Sequence, residues 1–310
     1  MERMQNATAL PILTAHQLMA ADRPPRSDLL PPWLASDTAA LVYGPPGIGK
    51  SFLALGIAWA VASGGSFLGW RSPRPRRVLY VDGEMGAAEI GDRLALFGPL
   101  PERLSIVPHD RPGGARLDLG TEDGIVRLMA AWNDPQLLVL DTLTALAPSA
   151  LAPDRDPERR DALHCFLQYL KQSGRAVLML DHGDRRGALN GMARRARAAD
   201  LVMALRPALS GSPPTAGGNA RFEIHFEKTR QRVPLFPIRA ELETADGAGA
   251  WRWDAACRVD RLAALVTQGL SRRDVCEALG IERSWFFRLK AEARARGLLP
   301  PKGQSGVDQS

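Results

Sequence analysis

Residues 41–52 read LVYGPPGIGKSF, and GPPGIGKS within them fits G-x-x-x-x-G-K-S through Gly44, Gly49, Lys50 and Ser51. Phosphate oxygens need many donors at short range. A loop without bulky side chains can turn successive backbone N–H groups toward them, and a following helix adds its positive N-terminal end. The expected cradle is Gly44, Gly47, Ile48, Gly49, Lys50, Ser51 and Phe52. Lys50 is expected to reach the β- and γ-phosphates, and Ser51 to offer a hydroxyl to Mg²⁺. Only five of the 40 basic residues are lysine, so a chance lysine at this position is improbable on composition. ATP and Mg²⁺ are the cofactors this pattern implies.

A phosphate loop alone hydrolyses nothing. Asp141 ends LLVLDT, where four apolar residues run into a carboxylate. That is the form in which an aspartate holds Mg²⁺ through its water shell, although it also suits an aspartate capping the next segment. Asp82 and Glu84 end VLYVDGE and share one face of an extended strand, so local sequence does not separate them. His182 ends LMLDH. EKTRQR sets Lys228 and Arg230 two residues apart, on one face of a strand.

Short apolar strands must position these groups. They are expected over 38–44, 76–84, 103–110, 136–142, 175–182 and 199–206, mostly as continuous apolar runs that suit strands buried on both faces. Helical stretches fall near 50–64, 87–97, 121–132, 157–173 and 191–198. The alternation predicts an α/β fold with a mostly parallel sheet covered by helices. Residues 207–220 read as a loop, 221–232 as an antiparallel strand, and 233–254 as a further edge strand or hairpin. Residues 1–37 read as a leader with one short helix and a proline-broken extended segment, 38–254 as the main domain, 255–300 as a small all-helical domain, and 301–310 as a disordered tail.

Composition is that of a globular protein, 45% hydrophobic and 24% charged over 310 residues. Cys165, Cys257 and Cys276 form no CxxC pair, which argues against a disulfide framework and fits a reducing cytoplasm. The longest apolar run, 52–62, is too short to span a membrane. A net charge of +6 permits a nucleic-acid partner and equally a well-solvated arginine-rich surface.

The order LVYGPPGIGKS, VLYVDGE, LLVLDTLTAL, LDHGDRRG, RAADLVMAL and FEKTRQR resembles the plasmid RepA-type hexameric helicases and their RecA-like ATPase relatives, over roughly 28–240. The resemblance implies a RecA-like P-loop core in a homo-oligomeric ring, with active sites between subunits. It implies that Glu84 activates the attacking water, with Asp82 as competitor, and that His182 contacts the γ-phosphate. It also implies that Lys228 and Arg230 reach a neighbour's nucleotide. Two loops, about 143–160 and 183–198, would face single-stranded DNA in a central channel. The second holds Arg185, Arg186, Arg194, Arg195 and Arg197, and relatives often carry a lysine where this chain has Arg185 and Arg186.

GLSRRDVCEALGIERSWFFRLKAEARARGLL (269–299) resembles a helix-turn-helix. Ser271 can cap a helix from Arg272, Val275 and Leu279 make its apolar face, and a second helix starts near Arg283 with Phe286, Leu289 and Ala293 inward. A helix near 259–267 would complete three. Arg283, Ser284, Trp285 and Arg288 are then the DNA-facing residues. A helical module for oligomerisation or partner binding is the alternative. The sequence thus points to an ATP-hydrolysing DNA motor, a helicase of plasmid or mobile-element replication. A DNA-binding regulator or loader switched by ATP, without unwinding, is the rival.

Overall fold

The computed structural model describes residues 12–20, 26–110, 116–151, 157–183, 196, 198–208, 220–230, 235, 237–245, 248–255, 258–279, 281 and 283–301. Its elements, in chain order, begin with α1 (Ala15–Ala20), β1 (Asp28–Leu30), β2 (Leu34–Ala35), β3 (Ala39–Gly44) and α2 (Lys50–Ser63). Next come β4 (Ser66–Phe67), β5 (Trp70–Arg71), β6 (Val78–Asp82), α3 (Ala87–Ala95), β7 (Leu104–Val107) and α4 (Glu122–Ala130). Then follow β8 (Leu137–Asp141), α5 (Leu143–Leu146), α6 (Pro148–Leu151), α7 (Pro157–Gln172), β9 (Ala176–His182) and β10 (Leu201–Arg206). The remainder is β11 (Arg221–Thr229), β12 (Ile238–Ala245), β13 (Ala248–Ala255), α8 (Arg258–Thr267), α9 (Arg272–Leu279) and α10 (Arg283–Ala295).

The apolar runs pair into one nine-stranded sheet of order β13-β12-β11-β10-β3-β9-β8-β6-β7. Neighbours from β10 to β7 are parallel, and β10 through β13 are antiparallel. The parallel strands are buried on both faces because helices cover both. Along β3, Ala40 and Val42 face a core shared with α2 and α3, while Leu41 and Tyr43 face one shared with α4 to α7. β12 and β13 form the hairpin expected beyond 233.

One expectation is corrected. The proline-broken part of the leader, expected outside the domain of 38–254, packs into its core. β1 and β2 pair antiparallel, and Leu29, Leu30, Trp33 and Leu34 are buried in the same core as α2 and β3. Trp33 meets Trp70 edge-on at 5.2 Å. Pro31 and Pro32 lie in the turn between β1 and β2, and β1 packs against α2.

Residues 143–151, expected as a channel loop, form α5 and α6 and bury Leu143, Leu146 and Ala150 against the sheet. The helix expected over 191–198 and the loop at 207–220 fall largely outside the described residues, as does the tail. α8, α9 and α10 enclose a core of their own, with Leu262, Leu265, Val275, Phe286, Leu289 and Ala293 buried. Ser271 caps α9 by accepting the Asp274 N–H at 3.3 Å. Among the described residues no helix is long and apolar enough to cross a membrane.

Candidate active site

Four neighbouring strands deliver the candidate residues to one edge of the sheet. Gly44 ends β3, opposite His182 at the end of β9, while Asp141 ends β8 opposite Asp82 at the end of β6. Parallel pairing puts all four carboxyl ends on one side, where ligands of such sheets bind. Main-chain bonds tie the ends together: Gly183 N–H to Gly44 O at 3.0 Å, and Gly83 N–H to Asp141 O at 2.7 Å.

Two glycines of the loop from β3 to α2 have no room for a side chain. A Cβ on Gly44 would lie 2.8 Å from the Leu205 carbonyl oxygen. Gly49, the residue before α2, has φ 107°, and a Cβ there would meet the Phe222 ring at 2.9 Å. Ile48 packs partly against the core. The Phe52 ring does likewise and lies under the Arg93 guanidinium at 4.5 Å, so Phe52 has only its backbone to offer a phosphate.

Lys50 is 6% exposed. Its ammonium donates to the Gly44 and Pro45 carbonyls at 3.1 and 3.0 Å. Burial lowers its pKa, partly opposed by the charges of Asp141 and Glu84. Asp141 is buried, and burial raises its pKa against hydrogen bonds from the Tyr80 and Ser51 hydroxyls. Ser51 and Asp141, the two expected Mg²⁺ contacts, are thus adjacent.

The structure separates Asp82 from Glu84. β6 ends at Asp82, two residues short of the expected strand, so the two carboxylates do not share a strand face. Asp82 is enclosed and accepts the N–H groups of Met85 at 3.1 Å and Gly86 at 3.0 Å, with His109 Nδ1 at 3.0 Å. Burial alone would raise its pKa, but these bonds hold it below the ordinary carboxylate value. It closes a turn and has little left for chemistry. Glu84, on that turn, is 46% exposed. Its Oε1 accepts from the Thr142 hydroxyl at 2.6 Å and lies 3.2 Å from His182 Nε2. Burial raises the Glu84 pKa, and the bonds from Thr142 and His182 with the nearby Lys50 charge bring it below normal. His182 Nδ1 lies 3.4 Å from the Lys50 ammonium. Lys50, His182, Glu84 and Thr142 form one chain of polar contacts.

Lys228 and Arg230 lie elsewhere. Lys228 pairs with Val202, and Val202 with Leu41 near the amino end of β3. Its ammonium donates to the Ala196 and Ala199 carbonyls at 2.9 and 2.5 Å. Arg230 lies just past β11 and donates to Asp200 at 3.0 Å. Buried Asp200 also accepts from Lys171 at 2.7 Å and from the Ala39 N–H at 3.0 Å.

Arg185, Arg186, Arg194, Arg195 and Arg197 lie outside the described residues. On α10, Arg283, Ser284 and Arg288 are exposed, and Trp285 stands between them in sequence. Tyr80, Thr142, His109 and Asp200 are residues the sequence reading missed. Tyr80 is the lone aromatic in its apolar run and Thr142 directly follows Asp141, which are weak signals. His109 and Asp200 carry none, because their partners are remote in sequence.

A model of the AAA domain family (AAA_25) matches residues 5–188. The chain belongs to that family. The DNA repair protein RadA of Pseudomonas aeruginosa is 30% identical over 162 residues, 51% of this chain and 30% of that protein. RadA of Brucella abortus is 27% identical over 162 residues, 50% of this chain and 30% of that protein. The matched part is therefore less than a third of either relative. The crystal structure of flagellar accessory protein FlaH from Methanocaldococcus jannaschii superposes with TM-score 0.51 at 14% identity, covering 70% of this chain and 90% of that one. The AAA-family sheet, mostly parallel with the phosphate loop after its central β3, has the RecA-like NTPase architecture.

Proposed function

We propose that this AAA-family chain hydrolyses ATP and uses it to drive a motor on DNA, as a RepA-like hexameric helicase with active sites between subunits. The carrying observation is the convergence of Lys50, Ser51, Asp141, Glu84 and His182 at the carboxyl ends of four adjacent strands.

The residues fit ATP and Mg²⁺. Among the described residues no three His, Cys, Asp or Glu side chains cluster as a metal cage. Mg²⁺ needs no such cage, since it is usually held by one or two protein groups plus substrate phosphates and water. Ser51 beside Asp141 supplies that pair. When bound, Mg²⁺ neutralises charge on the phosphate oxygens. Lys50 leaves its own loop carbonyls to pair with the β- and γ-phosphates. Glu84, half-exposed and held ionised, takes a proton from the attacking water. His182, between Lys50 and Glu84, reports the state of the γ-phosphate to the general base.

Lys228 lies at the level of Leu41, about 10 Å along β3 from Gly44 at ~3.3 Å per residue, and two strands to the side. It and Arg230 are too far from their own phosphate loop to serve it. That supports a role toward a neighbour's nucleotide, which requires a ring or filament. The name of the RadA relatives, and the exposed Arg283, Ser284 and Arg288 beside buried Phe286 and Leu289, support DNA as the partner. From 258 to 299, nine Lys and Arg oppose five Asp and Glu. The helical unit also favours a second reading, a DNA-binding regulator or loader that ATP switches without unwinding.

ATPase is measured with and without single-stranded DNA, then strand displacement on a forked duplex, with Lys50→Ala as control. Stimulation with displacement is expected. Stimulation without displacement leaves the regulator, and hydrolysis indifferent to DNA rejects both readings. An Arg230→Ala protein that assembles and hydrolyses normally rejects the intersubunit role.

A further inference from the structure

We propose that Phe287, flanked by Arg272 and Arg283, is a thymine-reading contact in the major groove of duplex DNA. α10 turns one face into the small helical core through Phe286, Leu289 and Ala293. The other face carries Arg283, Ser284, Phe287, Arg288, Ala291 and Ala295, all exposed. Steps of about four residues put these six on one stripe along the helix. Phe287 is the one large apolar side chain among them, and it is 50% exposed.

A single exposed apolar residue is ordinary; the company this one keeps is not. The Arg283 guanidinium, one turn earlier on α10, and that of Arg272, at the start of α9, each lie 5.9 Å from the Phe287 ring centre. The negative face of an aromatic ring attracts cations at that range. A guanidinium that stacks by its face keeps its N–H edge for other acceptors. Among the described residues no carboxylate pairs with either guanidinium.

Charge and shape set the partner. α10 holds four Lys and Arg against one Glu, so two copies of this face repel and an anionic surface fits it. Phosphates suit the two arginine forks. A phenyl ring gains nothing from a phosphate. Among the base edges of the major groove, its apolar match is the thymine methyl. Ala291 and Ala295 keep the rest of the stripe slim, which suits a helix entering a groove about 12 Å wide. The inference rests on the proposed reading of DNA as the partner and is independent of hydrolysis.

The test titrates the nucleotide-free full chain, by fluorescence anisotropy, with two labelled duplexes: alternating dA-dT, and the same duplex with dU for dT. They differ by the C5 methyls. Wild type is expected to bind the dT duplex about fourfold tighter, the worth of one buried methyl-sized group. Phe287→Ala binds both alike. Arg272→Ala and Arg283→Ala weaken both duplexes together, and each lowers the salt slope of binding by about one. Melting curves check that the variants fold. The dU duplex removes the contact from the DNA side, so wild type alone can refute it.

Equal affinity of wild type for the two duplexes overturns the thymine contact, as does a preference that survives in Phe287→Ala. No saturable duplex binding overturns the whole surface. Binding of polyglutamate in place of DNA, or Phe287-dependent self-association in sedimentation, assigns the surface to an acidic protein or a second copy and overturns it too. Hydrolysis indifferent to DNA, with the thymine preference intact, rejects the motor and leaves the surface. DNA-stimulated hydrolysis without that preference rejects the surface and leaves the motor.

Discussion

Glu84 and His182 meet side chain to side chain, Oε1 to Nε2 at 3.2 Å, although β8 separates the strands that lead to them. Lys50 can only donate, so His182 Nδ1 accepts from it and the ring proton sits on Nε2, toward Glu84. The ammonium thus fixes the tautomer of the histidine that holds the carboxylate. Glu84→Gln is expected to lower hydrolysis by about 10²–10⁴, the span of a general base, while nucleotide binding persists. Asp82→Asn acts differently: it loosens the turn, lowers thermal stability and lowers hydrolysis only in step with it. Fluorescent-nucleotide binding, ATPase rate and a melting curve on both variants distinguish the two. Equal and opposite results would reverse the assignment of the carboxylates.

Burial makes the charged form of Asp141 costly. Its carboxylate is buried beside Tyr80 and Ser51, and burial raises its pKa. A raised folded value means stability is lost as pH rises from the unfolded value through the folded one. In chelator at neutral pH, Asp141→Asn should therefore melt at or above the wild type. The same substitution should lower hydrolysis by about 10² or more, in the range for losing one group that stabilises developing charge. A variant that melts well below wild type contradicts the account.

Asp200 has the opposite sign. Burial would raise its pKa, but the bonds from Lys171 and the Ala39 N–H, with the Lys171 and Arg230 charges, hold it below the ordinary value. Its stabilisation is complete above the unfolded carboxylate value, about pH 4, and disappears as pH falls through the lower folded value. Asp200→Asn should cost about 1.5–3 kcal/mol near neutrality, as for hydrogen bonds to a charged group. Urea melts of both proteins should converge in acid. A gap that is independent of pH removes Asp200 from the acid response.

Trp33 is fully buried in the hairpin that precedes β3 and packs on Trp70. Trp33→Ala should cost about 3–5 kcal/mol, the range for emptying a large aromatic site. A chain beginning at residue 38 should be unstable for the same reason. If that shorter chain melts like the full one, the hairpin is dispensable and the core is smaller than described.

The parallel strands were legible because strands buried on both faces cannot hide their apolar runs, and GPPGIGKS is dense in positional information. β1 and β2 were illegible because two prolines mask a hairpin whose burial comes from α2, twenty residues on. The Asp82–Glu84 ambiguity persisted because nothing local marks the end of β6; the decisive partners, His109 and Thr142, come from β7 and β8. Asp200 had no local signal, since Lys171, Ala39 and Arg230 reach it from three separate parts of the chain. The arginines of 185–197 are legible only as composition.

β3 carries the phosphate loop and has β9 and β10 as its two neighbours, Ala39 opposite Val177 and Ala40 opposite Leu201. Both partners lie in the second half of the sequence. A ribosome that has released the phosphate loop and α2 has therefore exposed a short apolar strand with both edges bare. The nascent chain carries that sticky template until β10 emerges. Translation pausing before then favours aggregation over folding, and the nucleotide site is the last piece of the parallel part of the sheet to become competent.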